Sequence, residues 1–231
     1  MDSLNYQYEV LRTFAITHNY NRWIFDLLKP SLGKNILEVG CGIGNLTKYL
    51  ANYNKLTCID KSENFIKHMK IDYPEIKFYE VDITDRSVLK LGENSFDTVI
   101  CVNVLEHIDN DIKALKNMFD LLEKNGKLLL IVPAIENAYG TMDKKLGHFR
   151  RYSKYNIVKK LSGVNFIIEK IQYHNIFGLI GWLLNARIFK RSEFPIFQTI
   201  FYDKLIPFIS KLEKNVKLPI GMNLFVIAVK P

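Results

Sequence analysis

The chain has 231 residues, 48% hydrophobic and 24% charged, which suits one domain, or one domain with an elaboration, with a sizeable core and the charge share of a soluble globular protein. A formal net charge of +8 admits an anionic small molecule, a membrane surface or a nucleic acid as partner, although a chain so rich in Lys, Ile and Asn turns basic without any partner. Cys41, Cys58 and Cys101 form no CxxC pair and have no nearby His, which argues against a disulfide framework and against a metal site.

From Tyr6 to Leu28, apolar residues such as Val10, Phe14, Trp23 and Phe25 recur at helical spacing, predicting one or two helices that Pro30 closes. Alternation then begins. Strands are predicted over Asn35–Gly40, Lys55–Asp60, Ile76–Val81, Phe96–Val102 and Lys127–Val132. Between them, helices are predicted over Asn45–Asn52, from a Ser62 cap to about Asp72, and over Asp111–Glu123 with an end near Asn125-Gly126. Short, almost wholly apolar strands alternating with helices predict a doubly wound, Rossmann-like and mostly parallel α/β sheet covered on both faces. In such a fold ligands bind at the carboxyl ends of the strands, here just after Val39, Ile59, Val81 and Val102.

After Pro133 the pattern changes. Residues 134–152 are irregular, followed by a helix over Ser153–Leu161 and a strand over Phe166–Tyr173. Asn175–Leu218 is apolar and aromatic, broken by Pro195, Pro207 and Pro219, and Met222–Val229 is a final strand. The longest apolar run, 176–189, is interrupted by Asn185 and Arg187 and is too short to span a bilayer. The N-terminus lacks a signal-peptide pattern, so the expectation is a cytoplasmic protein. The organisation expected is a helical cap over 1–30, a Rossmann-like core over 33–173 and 220–231, and a helical insertion over 174–219.

The most informative run is Glu38-Val39-Gly40-Cys41-Gly42-Ile43-Gly44, a glycine turn between a strand and a helix. Its GxGxG spacing is neither the GxGxxG of a dinucleotide site nor a phosphate loop ending in GK[ST]. Glu38 precedes the glycines, Asp60 closes the next strand and Asp82 the one after. Three acids at three successive strand ends provide acceptors without a phosphate cradle.

Ile36–Leu50, with Asp60 and Asp82, resembles the first motifs of class I S-adenosylmethionine-dependent methyltransferases, and the likeness extends over Tyr20–Tyr152. The resemblance implies a seven-stranded sheet with an antiparallel last strand, and S-adenosylmethionine as cofactor with S-adenosylhomocysteine as product. It places Gly40, Gly42 and Gly44 against the methionine part, Glu38 near the ammonium end, Asp60 on the ribose hydroxyls, Asp82 with Ile83 at adenine and the Asn103 backbone along the methionine moiety. Tyr20, Cys41 and Lys61 complete the implied cofactor set.

Asn103-Val104-Leu105-Glu106-His107 matches an NxLEH pattern frequent among family members that act on small molecules or on carbohydrate and lipid acceptors. The chain lacks the Asn/Asp-Pro-Pro-aromatic run of amino-directed nucleic-acid enzymes and the Cys-Pro context of cytosine-carbon enzymes. His107 either acts as a base or lines the pocket. Gly147-His148-Phe149-Arg150-Arg151-Tyr152, preceded by Asp143, resembles a GHxRRY stretch of one methyltransferase subgroup. His148 is the candidate general base, since imidazoles exchange protons near neutrality, or else it pins a lid with Tyr152. Lys144, Lys145, Arg150, Arg151, Lys154, Lys159 and Lys160 have no acid among them, and Arg150, Arg151 and Tyr152 are the candidate acceptor-binding residues, suited to a phosphate or carboxylate.

The expected activity is O-methylation of a small or lipid-linked anionic acceptor. The alternatives are a methyltransferase for nucleic acid or protein, which lacks an aromatic-interleaved basic platform here, and a scaffold that keeps cofactor without turnover. The 174–219 insertion, with its Ile188-Phe189-Lys190-Arg191 and Phe194 flank, is expected to cap the acceptor site and touch lipid, or to form a homodimer interface.

Overall fold

A computed structural model describes residues 3–53, 55–185, 195–214 and 216–231. Helices α1 (Ser3–Ala15) and α2 (His18–Leu28) precede an alternating core: β1 (Asn35–Val39), α3 (Thr47–Leu50), β2 (Lys55–Asp60), α4 (Glu63–Asp72), β3 (Lys77–Glu80), β4 (Phe96–Val102), α5 (Asp111–Leu121) and β5 (Leu122–Pro133). Then come α6 (Thr141–Leu146), α7 (Lys154–Gly163), β6 (Ile167–His174), α8 (Ile176–Leu183), α9 (Ile196–Lys214) and β7 (Asn223–Val229). The strands form a seven-stranded sheet in the order β3-β2-β1-β4-β5-β7-β6. All neighbours are parallel except at β7, which runs antiparallel to both β5 and β6.

Strand periodicity explains the two cores. Leu37, Val39, Val99 and Cys101 face a layer built from α5 and α7 through Leu115, Met118, Ile157 and Leu161. Ile36, Cys58, Ile100 and Leu129 face the other, built from α2, α3 and α4 through Phe25, Leu28, Leu50 and Met69. Both faces of the central strands are dry, which is why they read as continuous apolar runs. Ser62, Asn110 and Ser153 cap α4, α5 and α7, each side chain accepting from a backbone N–H three residues on.

Three expectations need correction. Helix α5 ends at Leu121, not Glu123, because Leu122 is already extended and paired with Phe96. Asn125-Gly126 therefore lies in an irregularity of β5, with Asn125 at φ +63°, and does not cap a helix. Helix α3 is also shorter than expected, since the glycine turn continues to Leu46 before the helix starts. Pro207 does not break the chain: α9 runs through it for 19 residues. Proline removes the N–H that would serve the Asp203 carbonyl, and that carbonyl instead accepts from Nδ2 of Asn19 at 3.1 Å.

Asp203 does more on the same contact. Its carboxylate accepts from the Asn19 and Tyr20 backbone N–H groups at 3.3 and 2.8 Å, satisfying the first turn of α2. Thus α9 is strapped to the N-terminal helices. Arg187, Ile188, Phe189, Lys190, Arg191 and Phe194 lie outside the described residues. Among the described residues, no helix is long and apolar enough to cross a membrane.

Candidate active site

The β1 strand ends at Val39 and the chain turns at once. Gly40 (φ +74°) and Gly42 (φ +52°) adopt left-handed backbone, and a Cβ on Gly40 would collide with Val104 beyond β4. The turn is fastened to the end of β2. The N–H groups of Gly40 and Cys41 donate to the Ile59 carbonyl at 2.8 and 3.1 Å. Gly42 N donates to Asp60 Oδ2 and Ser62 N to Oδ1, both at 2.9 Å. Each of these oxygens can accept a further hydrogen bond. Burial raises the Asp60 carboxyl above its ordinary range, and the N–H groups of Ser62 and Gly42 oppose that rise.

The strand ends open on a cavity of about 1230 Å³. Drug-sized ligands fill roughly 300–1,000 Å³, so this space suits a cofactor together with an acceptor. Every residue expected to hold the cofactor lines it, from Tyr20 through Glu38, Asp60 and Asp82 to Asn103, with one exception. Gly44 is absent from the wall. Its φ of +83° and a Cβ position 2.7 Å from Met69 Cε mark it as a close-packing glycine between the turn and α4.

Glu38 is 3% exposed, and its Oε2 accepts from Thr47 Oγ1 at 2.7 Å and from Cys58 Sγ at 3.4 Å. Burial pushes its carboxyl up to about 7, with the Thr47 hydrogen bond pulling the other way. A cation placed against it would return it to carboxylate, so the residue suits the ammonium end of an amino acid. Asn103, at φ +53°, is held by its N–H donating to Ile131 O at 2.9 Å and by Asn223 Nδ2 donating to its Oδ1 at 3.1 Å. Burial pushes the Tyr20 phenol up to about 12 against a hydrogen bond with Asn175. Asp82 is exposed, and its Oδ1 accepts from Thr84 N at 2.7 Å.

A second polar group sits on the same wall. Leu105–His107 is a tight turn that sends Leu105 into the core and leaves Glu106 and His107 on the cavity. Buried Asp143 of α6 faces His148 Nδ1 at 2.9 Å and accepts from Arg151 Nε at 2.8 Å, both through Oδ1. That contact places the His148 proton on Nδ1 and leaves Nε2 as the acceptor nitrogen. The rings of His107 and His148 stand 4.6 Å apart, nearly perpendicular. Burial, with His148 and Lys61 adding to it, takes His107 down to about 3, so it is neutral at ordinary pH. Burial raises Glu106 to about 7, opposed by His148, by its own backbone N–H and by Arg151. Glu106 Oε2 and Arg151 Nη2 are buried and make no hydrogen bond among the described residues. One donor atom from each of Glu106, His107 and His148 lies within 4.8 Å of the others. That limit is looser than the roughly 3.4 Å between tetrahedral ligands held at about 2.1 Å from an ion.

The basic run divides in two. Arg151 is 2% exposed, lines the cavity, donates to the Ala134 carbonyl and lies 4.2 Å from the Trp182 ring centre. Arg150 and Tyr152, expected to bind the acceptor, do not line the cavity. Arg150 pairs with Asp111 at 2.9 Å and Asp109 at 3.3 Å, while Tyr152 Oη is 3.0 Å from Asp111 and 3.2 Å from the Leu105 carbonyl. Lys160 also reaches Asp111, at 2.8 Å. The absence of acids within the run therefore misled, because Asp111, far away in sequence, pairs with Arg150 and Lys160, and Asp143, just before the run, pairs with Arg151. Glu106 and Asp143 were outside the expected site. Their signal was present, since each is an acid beside a candidate His in the motifs. Gln7, whose Nε2 is 3.3 Å from His107 Nδ1, carried no signal at all.

Residues 37–130 match the family described as methyltransferase domain. The ubiquinone biosynthesis O-methyltransferase of Coxiella burnetii is 33% identical over 101 residues, covering 42% of this chain and 42% of that protein. The matches to the first curated relatives span only 40–45% of those proteins' own lengths. In overall structure the chain is similar to a SAM-dependent methyltransferase of Thermotoga maritima (16% identity, 96% of this chain and 95% of that one, TM-score 0.67). It is also similar to a TehB-like SAM-dependent methyltransferase of Corynebacterium glutamicum (20% identity, 99% and 98%, TM-score 0.60).

Proposed function

We propose that this chain, whose residues 37–130 match a methyltransferase domain, is an S-adenosylmethionine-dependent methyltransferase that transfers the cofactor's methyl group to a hydroxyl oxygen of a small or lipid-linked acceptor. The observation that carries this reading is a single cavity that joins the Glu38, Asp60 and Asp82 rim to the His148–Asp143 pair.

The residues present fit the cofactor. Asp60 has acceptor capacity for ribose hydroxyls, Glu38 favours a cation beside it, Asp82 and Ile83 offer a polar and an apolar edge for adenine, and the glycine turn lets backbone approach closely. When bound, S-adenosylmethionine supplies a methyl carbon already activated by its sulfonium. The protein has mainly to hold the acceptor oxygen in line with that carbon and to remove its proton.

His148 Nε2 takes the proton from the acceptor hydroxyl, and Asp143 holds the ring and stabilises the imidazolium that forms. Neutral His107 packs edge-on against His148 and limits its rotation. Arg151 Nη2 and Glu106 Oε2 provide one donor and one acceptor to the acceptor's polar end. The anionic character of the acceptor now rests on Arg151, because Arg150 is spent on Asp111 and Asp109.

Two measurements test the reading. Calorimetry should show binding of S-adenosylmethionine and S-adenosylhomocysteine, and mass spectrometry should find a gain of about 14 Da in a component of a metabolite or lipid extract incubated with protein and cofactor, one methyl replacing one hydrogen. Cofactor binding without any methylated product would leave a scaffold, and tight NADH binding without either ligand would end the proposal.

A further inference from the structure

Helix α9 has three faces. Asp203, Ile206 and Ile209 are buried against the domain. On the outward half, Phe197, Phe201, Phe208 and Leu212 fall within an arc of about 60° at 3.6 residues per turn, and they are 81%, 57%, 66% and 47% exposed. Beside that strip run Lys204, Lys211 and Lys214, also exposed. The acids of α9 are both turned inward. Asp203 caps α2, and Glu213 accepts from the Asn175 and Ile176 N–H groups at 2.8 and 2.9 Å. The outward half therefore carries phenylalanine and lysine and no negative charge.

Helix α8 carries exposed apolar residues of its own. Phe177, Ile180 and Leu184, at i, i+3 and i+7, are 43%, 50% and 41% exposed. Single exposed apolar residues need no explanation, but seven on two helices that touch at Ile176 and Glu213, four of them on one cavity wall, do. Phe177, Leu184, Phe197 and Phe201 also line the cavity, so exposed apolar residues of both helices border it.

We propose that the outward face of α8 and α9 docks on an anionic phospholipid bilayer, and that the acceptor is an amphiphile entering the cavity from that bilayer. An apolar strip flanked by lysines on a helix too polar to span suits the headgroup boundary, with the phenylalanines below the phosphates and the lysines among them. A second copy of the chain fits less well. A two-fold contact through α9 would bring two lysine strips together with no acidic strip to meet them. The acceptor part of this inference rests on the methyltransferase reading, whereas the docking part does not.

The test uses the full chain in co-sedimentation with vesicles of phosphatidylcholine alone and of phosphatidylcholine with phosphatidylglycerol, alongside light scattering and calorimetry with S-adenosylmethionine. The chain should pellet with the anionic vesicles at low salt and less so at high salt. The double variant Phe208→Ser/Leu212→Ser, whose residues lie outside the cavity wall, should lose binding about tenfold or more while keeping its melting temperature and cofactor affinity. Lys204→Glu/Lys211→Glu should abolish the preference for anionic vesicles. Retention in the supernatant with both vesicle types, or wild-type binding by Phe208→Ser/Leu212→Ser, would overturn docking. So would a dimer that this variant dissociates, since it would assign that face to a second copy. Vesicle binding without cofactor binding would leave docking standing and remove the methyltransferase reading.

Discussion

Nδ1 of His148 lies 2.9 Å from Oδ1 of Asp143, and the same oxygen accepts from Arg151 Nε at 2.8 Å. One fully buried carboxylate thus orients the candidate base and balances the charge of the arginine beside it. The first prediction follows from that shared oxygen. His148→Ala should lower kcat by about 100-fold or more with cofactor affinity unchanged. Asp143→Asn should lower kcat as well, because the ring loses the carboxylate that orients it. A His148→Ala variant with a near-normal kcat and pH profile would assign the ring to packing.

Arg150 and Arg151 should behave differently although they are neighbours. Arg150→Gln leaves Asp111 with Lys160 at 2.8 Å, so it should cost about 1 kcal/mol of stability or less and leave the acceptor KM alone. Arg151→Gln leaves Asp143 buried without a cation, which costs roughly 3–5 kcal/mol, and it should raise the acceptor KM. Denaturant unfolding and steady-state kinetics on the two variants separate these outcomes. Equal effects would contradict the divided roles.

Asp60→Ala should weaken S-adenosylmethionine binding by roughly 1.5–3 kcal/mol, since hydrogen bonds to a charged acceptor are lost. The Gly42 and Ser62 N–H groups also lose their partner, so Asp60→Asn, which keeps an acceptor for one of them, should fall between wild type and Ala in calorimetry.

Gly44→Ala tests whether the third glycine serves packing. A φ of +83° and the Met69 contact should cost about 1–3 kcal/mol of stability, while cofactor affinity in the folded fraction stays near wild type. A selective loss of cofactor binding at unchanged melting temperature would return Gly44 to the binding turn.

Glu106 predicts a pH dependence. Burial raises it to about 7 in the folded chain, where His148, Arg151 and Asp143 face it, and an unfolded glutamate titrates near 4.3. Between those values the folded state holds a proton that the unfolded state lacks. The stability from this group is therefore fully present below about pH 4.3 and is lost as pH rises through about 7. Glu106→Gln stays neutral throughout. The variant's melting temperature relative to wild type should climb between pH 5 and pH 8, approaching roughly 3 kcal/mol of relative stabilisation. A difference that stays flat across that range would mean the carboxyl is charged and compensated at every pH.

Much of the core was legible because its signals are local. A strand buried on both faces must be apolar throughout, so β1, β2, β4 and β5 appear as runs, and the residues that end them sit where a doubly wound sheet binds ligands. Asp60 could be placed from the sequence for that reason. The glycine turn was equally visible, yet its three glycines looked alike. Gly40 and Gly42 line the cavity and Gly44 packs on α4, a distinction that depends on where Met69 arrives.

Sequence by itself determined the order of strands and helices, the turn between β1 and α3 and the acids at the strand ends, because each depends on residues within a few positions of one another. Tertiary structure decided which charges are free and which apolar faces are wet. Arg150 and Arg151 are adjacent, but Asp111 claims one and Asp143 the other. Pro207 sits inside a continuous helix because Asn19, 184 residues from Asp203, accepts the role of the missing N–H. Ile206 and Phe208 are two positions apart on α9, one buried and the other exposed, because only one side of that helix meets the domain. Ion pairs and burial are set by what packs alongside, and local pattern does not encode which distant partner arrives.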